Sequence, residues 1–186
     1  MLREELTTNS YAGRLALIGL PGSGKTTIGR HLAARLDIAF YDSDSVIEMQ
    51  LDYSIREFFE REGEPAFRDI EHAVMEELTQ KSGCVISTGG GVVLHPDTRD
   101  MLQNRCFTVY LHSPPEEIFR RVRHDKNRPL LQVPDPFATL QQLYVVRDPL
   151  YRETASFVVE TGRPSVFSVI QTIIAQLKPM GQNSPA

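Results

Sequence analysis

Arg14-Leu15-Ala16-Leu17-Ile18-Gly19-Leu20-Pro21-Gly22-Ser23-Gly24-Lys25-Thr26-Thr27 is the stretch on which the fold turns. A short apolar run, residues 15–18, leads into G-x-x-x-x-G-K-T over residues 19–26. Each fixed residue of that pattern has a mechanical reason. The glycines let backbone N–H groups turn inward around a polyphosphate. Lys25 brings a cation to its β- and γ-phosphates, and the Thr26 hydroxyl can ligate Mg²⁺. A helix starting near Lys25 points its positive end at the same phosphates. A plain glycine-rich turn would not place a Lys-Thr pair in register behind a strand. The motif specifies a bound nucleotide phosphate and leaves its use open.

Working outward, strand-like runs alternate with helical patterns. The strands expected are Arg14–Gly19, Ala39–Asp42, Cys84–Thr88, Cys106–Leu111 and Phe157–Glu160. The helices expected are Lys25–Leu36, Ser54–Arg61, Glu64–Lys81, Asp97–Gln103, Pro115–His124, Phe137–Arg147 and Ser165–Leu177. Such alternation predicts an α/β domain with a mainly parallel sheet and helices on both faces. Phe67, Ile70, Val74 and Leu78 form one helical stripe, and Val166, Val169, Ile170, Ile173 and Leu177 another; both read as core. Residues 1–12 and 178–186 read as an N-terminal extension and a flexible tail around a single domain, 13–177.

In open parallel sheets, ligands sit beyond the carboxyl ends of the strands. After the second strand come Asp42-Ser43-Asp44. In extended chain the two carboxylates share a face. Asp42 would then reach the Mg²⁺ shell, and Asp44 would accept from a substrate hydroxyl and act as its base. An Asx cap on a helix starting near Ser45 is the competing reading. The third strand ends in Ser87-Thr88 where a Walker B strand would carry an aspartate, which strengthens the part given to Asp42. Gly89-Gly90-Gly91 follow, and read as a turn whose bare backbone a ligand can approach. Arg68 and Glu71 are either a surface pair, worth a few tenths of a kcal/mol, or a set in which Glu71 orients Arg68 toward a carboxylate. Arg147 is equally open. The segment 124–136 carries Arg128-Pro129-Leu130-Leu131 behind a basic approach, and has the length of a lid or binding loop.

The composition narrows the partners. The chain has 186 residues, a net charge of −4, 41% hydrophobic and 24% charged residues. That suits one soluble domain and argues against a nucleic-acid binder. No run is long enough to span a bilayer, and no signal core opens the chain, so no membrane partner and a cytoplasmic location are expected. Cys84 and Cys106 read as buried, reduced thiols, and the five histidines show no ligand spacing.

Taken in order, these residues resemble the shikimate kinase family from about Arg14 to Leu177. The matching pieces are GLPGSGKTT at 19–27, FYDSD at 40–44, EGE at 62–64 followed by Phe67-Arg68 and Glu71, TGGG at 88–91, RPLL at 128–131, and RDPLY at 147–151. The phosphate loop alone is widely shared; the ordered set is specific. The resemblance implies a P-loop fold of the nucleoside monophosphate kinase type, with five parallel strands in order 2-3-1-4-5. It implies a substrate region at about 43–80 and a lid at about 124–136. It implies ATP-dependent phosphorylation of the shikimate 3-hydroxyl, with Mg²⁺ as cofactor.

Residue by residue, the resemblance implies that Gly22, Ser23, Gly24, Lys25, Thr26 and Thr27 hold the ATP phosphates, with Lys25 also touching the transferred group. Thr26 and Asp42 would hold Mg²⁺. Asp44, Arg68, Glu71, Gly89, Gly90, Gly91 and Arg147 would form the shikimate site, with Asp44 the candidate base. Arg128 would act from the lid on ATP and the transition state, and Arg121 and Arg163 would pack against adenine. A monomer is expected. The rivals are a kinase of another small polyol acid, such as gluconate, and a shikimate-binding regulatory domain without turnover.

Overall fold

The computed structural model describes residues 11–124 and 132–177. Five strands, β1 (Arg14–Ile18), β2 (Ala39–Asp42), β3 (Cys84–Ser87), β4 (Phe107–His112) and β5 (Phe157–Glu160), form one sheet in the order β2-β3-β1-β4-β5. Every pairing is parallel. The expected strand boundaries therefore hold to within a residue. β1 lies at the centre, and Leu15, Ala16, Leu17 and Ile18 are all fully buried. A continuous apolar strand of this kind needs cover on both faces.

The helices provide it. On one face α1 (Lys25–Leu36) and α7 (Val166–Leu177) cover Leu15, Leu17, Val85, Val109 and Val159. On the other, α2 (Ser43–Leu51), α3 (Ile55–Leu78), α4 (Pro96–Arg105), α5 (Pro115–Val122) and α6 (Pro136–Thr154) cover Ala16, Ile18, Ile86 and Tyr110. Successive β1 side chains thus enter different cores, as the strand period requires. Gly29 lets α1 lie close to the sheet, because a Cβ there would stand 2.7 Å from the Phe40 ring. The Phe67–Leu78 stripe is core, with Ile70 partly buried. In α7 the stripe holds except at Val166, which is 40% exposed in the first turn.

Two elements differ from expectation, and a third keeps its expected break. The chain Asp42-Ser43-Asp44 is not extended throughout: Asp42 ends β2 and caps α2, its Oδ1 accepting from the Ser45 N–H at 3.1 Å, and Asp44 lies in the first helical turn. The two helices expected at 54–61 and 64–81 are the halves of α3, which Gly63 breaks at φ 80°, ψ 174° with Pro65 behind it, and the second half ends at Leu78. Ser54 caps the start, accepting from the Glu57 N–H at 3.2 Å in a Ser-x-x-Glu box. The helix expected to end at Arg147 continues through Pro149 to Thr154. Pro149 removes one helical donor, but it is exposed, and the turn around it is anchored to the sheet by Tyr110 Oη donating to Asp148 Oδ1 at 2.8 Å. A 3₁₀ turn, Val92–Leu94, follows the glycines.

Candidate active site

The phosphate loop lies between the end of β1 and the start of α1. Gly22 (φ 84°) and Gly24 (φ 97°) take the left-handed backbone that other residues avoid, and Gly24 is the N-cap of α1. The Ser23 N–H closes the turn on the Leu20 carbonyl at 3.1 Å. Lys25 is buried, with Nζ donating to the Gly19 and Leu20 carbonyls at 2.8 and 2.9 Å. The loop opens on a cleft of ≈ 310 Å³ lined by Pro21, Gly22, Gly24, Lys25, Thr26, Thr27, Asp42, Asp44, Thr88 and Gly90.

Parallel register places β2 and β3 beside this loop. Thr26 Oγ1 donates to Asp42 Oδ2 at 2.9 Å and lies 3.4 Å from Ser87 Oγ. Asp42 thus serves as helix cap with one oxygen and faces the loop threonine with the other. A hydroxyl and a carboxylate oxygen are hard donors, and few of them are what Mg²⁺ takes when water and phosphates complete its shell. Among the described residues no cluster of three or more His, Cys, Asp or Glu side chains stands ready for a metal.

Asp44 lines this cleft and also a second, ≈ 730 Å³, bounded by Ser45, Glu48, Ser54, Ile55, Arg56, Phe59, Glu60 and Gln132. Burial pushes its carboxyl above the ordinary aspartate range; nearby Asp42 adds to this, and Lys25 pulls against it. Behind it stand Arg68 and Glu71, bonded Nη1 to Oε2 at 2.6 Å, with side chains only 13% and 1% exposed. They are no surface pair. Glu64 takes Arg68 Nη2 at 2.9 Å, and the guanidinium lies over the Phe67 ring at 5.2 Å. Burial opposes the Arg68 charge, but Glu71 and Glu64 outweigh it and hold the group firmly protonated. Glu71 Oε1 is buried without a hydrogen-bond partner among the described residues.

The three glycines after β3 each sit where a side chain would collide. A Cβ on Gly89 would lie 2.7 Å from both Asp44 Oδ1 and Glu71 Oε1; on Gly90, 2.8 Å from Pro21; on Gly91, 2.2–2.3 Å from the Arg68 guanidinium. The turn therefore packs between the phosphate loop and the Asp44–Arg68–Glu71 group. Arg147 is half-buried on α6, and its charge acts on Glu71 and Tyr151.

Arg121 and Arg163 lie on the other side of β1, by the ends of β4 and β5. Arg121 donates from Nη2 to Ser113 Oγ at 2.8 Å. Arg163 lines a ≈ 250 Å³ cleft with Glu117 and Gly162, and Thr161 joins that turn to the loop through the Ser23 carbonyl at 3.5 Å. Arg128 falls outside the described residues. Sequence reasoning left several contributors unassigned: Pro21, the buried Thr88 whose hydroxyl donates to the Leu17 carbonyl at 2.9 Å, and Ser43, whose Oγ accepts the Gly89 N–H at 3.1 Å. It also missed Phe59 and Tyr151. Thr88 and Tyr151 stood inside motifs already quoted; Pro21 and Ser43 gave no signal beyond adjacency.

A family model described as shikimate kinase matches residues 21–178. The shikimate kinase of Paracidovorax citrulli is 53% identical over 173 residues, spanning 91% of this chain and 94% of that protein. A shikimate kinase from Acinetobacter baumannii, solved in complex with shikimate, superposes with a TM-score of 0.85 at 41% identity, covering 94% of this chain and 97% of that one. A gluconokinase from Sinorhizobium meliloti gives a TM-score of 0.57 at 16% identity over 93% and 95% of the two chains, which is likeness of fold alone.

Proposed function

The chain belongs to the shikimate kinase family, and we propose that it transfers the γ-phosphoryl group of ATP to the 3-hydroxyl of shikimate, giving shikimate 3-phosphate and ADP. The observation that carries the reading is the position of Asp44, which lines both the phosphate-loop cleft and the larger cleft beside it. A carboxylate at that junction is where an acceptor hydroxyl must meet a donor phosphate.

The division of labour follows the sheet. On the donor side, residues 22–27 cradle the ATP phosphates with backbone N–H groups, and Lys25 exchanges its loop carbonyls for phosphate oxygens. Thr26 and Asp42 hold Mg²⁺, which neutralises phosphate charge when bound. Arg121 and Arg163 flank the loop on the β4–β5 side and receive the adenine. On the acceptor side, within residues 43–80, the glycine turn and α6, Arg68 and Arg147 grip the shikimate carboxylate. Glu71 keeps Arg68 in place, and Asp44 receives or orients the reacting hydroxyl. Phosphoryl transfer asks for positioning and charge neutralisation more than covalent chemistry, and these groups supply that. Arg128 is assigned to the transferring group on the resemblance alone.

The unit is assigned as a monomer, and an ATP-dependent enzyme of this kind is assigned to the cytoplasm. No described helix is long and apolar enough to cross a membrane. ADP release is the test, measured with Mg²⁺-ATP and either shikimate or gluconate. Shikimate-dependent ADP release is expected. Turnover of gluconate with none of shikimate overturns the reading in favour of another polyol-acid kinase, and binding of shikimate without turnover overturns it in favour of a regulatory domain.

A further inference from the structure

The turn that ends β3 contains Gly89, Gly90 and Gly91, which have no side chains, so neighbouring elements must hold it. Three do so by hydrogen bonds. Thr88 Oγ1 donates to the Leu17 carbonyl of β1 at 2.9 Å. The Gly89 N–H donates to Ser43 Oγ, in the first turn of α2, at 3.1 Å. The Gly90 carbonyl accepts from Tyr151 Oη on α6. Each bond comes from a different element and fixes a different residue of the turn.

The Ser43 bond has a position of its own. The β2–β3 ladder runs as far as the pair Asp42–Ser87, where the chain leaves β2 for α2. Ser43 Oγ then supplies, beyond that last pair, an acceptor that a strand carbonyl no longer offers. Asp42 and Asp44 both line the phosphate-loop cleft, whereas Ser43 between them lines neither cleft and has no solvent exposure. Gly89 is buried as well, so its N–H needs a protein partner.

Gly89 is also where two carboxylates converge. A Cβ there would lie 2.7 Å from Asp44 Oδ1 and 2.7 Å from Glu71 Oε1. Asp44 belongs to α2 and Glu71 to α3, so one backbone position is the reference for side chains of both helices. Ser43 therefore pins the turn that carries Asp44 to the residue beneath the Asp44 carboxylate.

We propose that Ser43 is a positioning residue for the transfer step: through the Gly89 N–H it holds the Asp44 carboxylate over the glycine turn, where the two clefts meet. The proposal rests on the kinase reading above. It gives the middle residue of Asp-Ser-Asp a task distinct from those of the two carboxylates, and a task that needs no contact with either substrate.

Ser43→Ala removes the hydroxyl and little volume. With shikimate and Mg²⁺-ATP, kcat is expected to fall roughly 10- to 100-fold, the scale of misplacing a reacting group by up to about 1 Å. The KM for Mg²⁺-ATP should stay within about twofold of the wild-type value. In an Asp44→Asn background the same change should cost less than about twofold in kcat, because Ser43 acts through Asp44. Thr108→Val is the control. It removes an equally buried hydroxyl, which donates to the Leu102 carbonyl at 3.0 Å near the start of β4. Tm should fall in this variant while kcat stays within about twofold, the scale of error in comparing two rates. Four results overturn the proposal and leave wild-type shikimate turnover, and with it the kinase reading, intact: an unchanged kcat in Ser43→Ala, an equal loss in both backgrounds, an equal loss in Thr108→Val, or a matching rise in the Mg²⁺-ATP KM, which would place the effect at Asp42. A wild-type chain that turns over another acceptor and does not bind shikimate fails the kinase reading itself, and the positioning of Asp44 for this acceptor with it.

Discussion

At the scale of single residues, the proposed chemistry and stability pull in opposite directions at Asp44. Its carboxyl is raised by burial and by Asp42, so folding makes ionisation harder than in the unfolded chain. An acid whose folded pKa is raised contributes most to stability below its unfolded value, near 4. It loses that contribution as pH rises through the folded pKa. Above the folded pKa the ionised Asp44 is therefore a cost to the fold, which the proposed chemistry accounts for. Asp44→Asn is expected to raise Tm at pH 7–8, with the gain shrinking as pH falls toward 4, and to lower kcat by roughly 100-fold or more. The wild-type kcat/KM should also show an acid limb above the ordinary aspartate range. Thermal scans and initial rates across pH check all three; a variant with lower Tm and near-normal kcat would show that Asp44 serves the first turn of α2 and not the reaction.

Elements show what a single sequence discloses and what it hides. β1 and the loop after it were legible because residue type alone dictates them: four buried apolar residues, then glycines at positions where the backbone turns left-handed. The run 42–44 was misread in shape, although both carboxylates do line one cleft. Period-two alternation put both carboxylates on one face; in the structure Asp42 caps α2 and Asp44 follows in its first turn, and a strand end joined directly to a helix start brings them to the same cleft. α6 was read too short because Asp148-Pro149 is a local stop signal, and the bonds that override it, Tyr110 to Asp148 and Tyr151 to Gly90, join residues 38 and 61 positions apart. The break in α3 was legible, since Glu62-Gly63-Glu64-Pro65 interrupts a helical stripe. Gly63 carries it at φ 80°, ψ 174°, a backbone that an L side chain adopts only with strain of about 1–3 kcal/mol. Gly63→Ala is accordingly expected to lower stability by about that amount in urea unfolding, and to weaken shikimate binding, because the break sets the angle between the Phe59 and Arg68 halves of the helix. An unchanged midpoint would show that α3 straightens at no cost.

Across the whole molecule, the strand order β2-β3-β1-β4-β5 divides the site in two. Asp42, Asp44 and the glycine turn hang from β2 and β3 on one side of the phosphate loop, with α3 behind them. Ser113, Thr161 and Arg163 hang from β4 and β5 on the other. Gly90 packed against Pro21 ties the first group to the loop, and Thr161 Oγ1, 3.5 Å from the Ser23 carbonyl, ties the second. The proposed acceptor and donor therefore rest on separable groups, and thermal stability can read each one alone. A ligand that binds only the folded chain at 100 times its Kd adds about 2.7 kcal/mol, which for a chain of this size corresponds to a Tm rise of roughly 5–10 °C. Shikimate and Mg²⁺-ATP should each produce such a rise in the wild-type chain. Arg68→Ala should abolish most of the shikimate shift and leave the Mg²⁺-ATP shift intact, since Arg68 is fixed by Glu64 and Glu71 on α3 and lines no part of the phosphate-loop cleft. Lys25→Met should do the reverse. If Arg68→Ala removed both shifts, the two half-sites would be one cooperative unit; if it removed neither, Arg68 would be no part of the acceptor site, and the proposed carboxylate grip would fall to Arg147 alone.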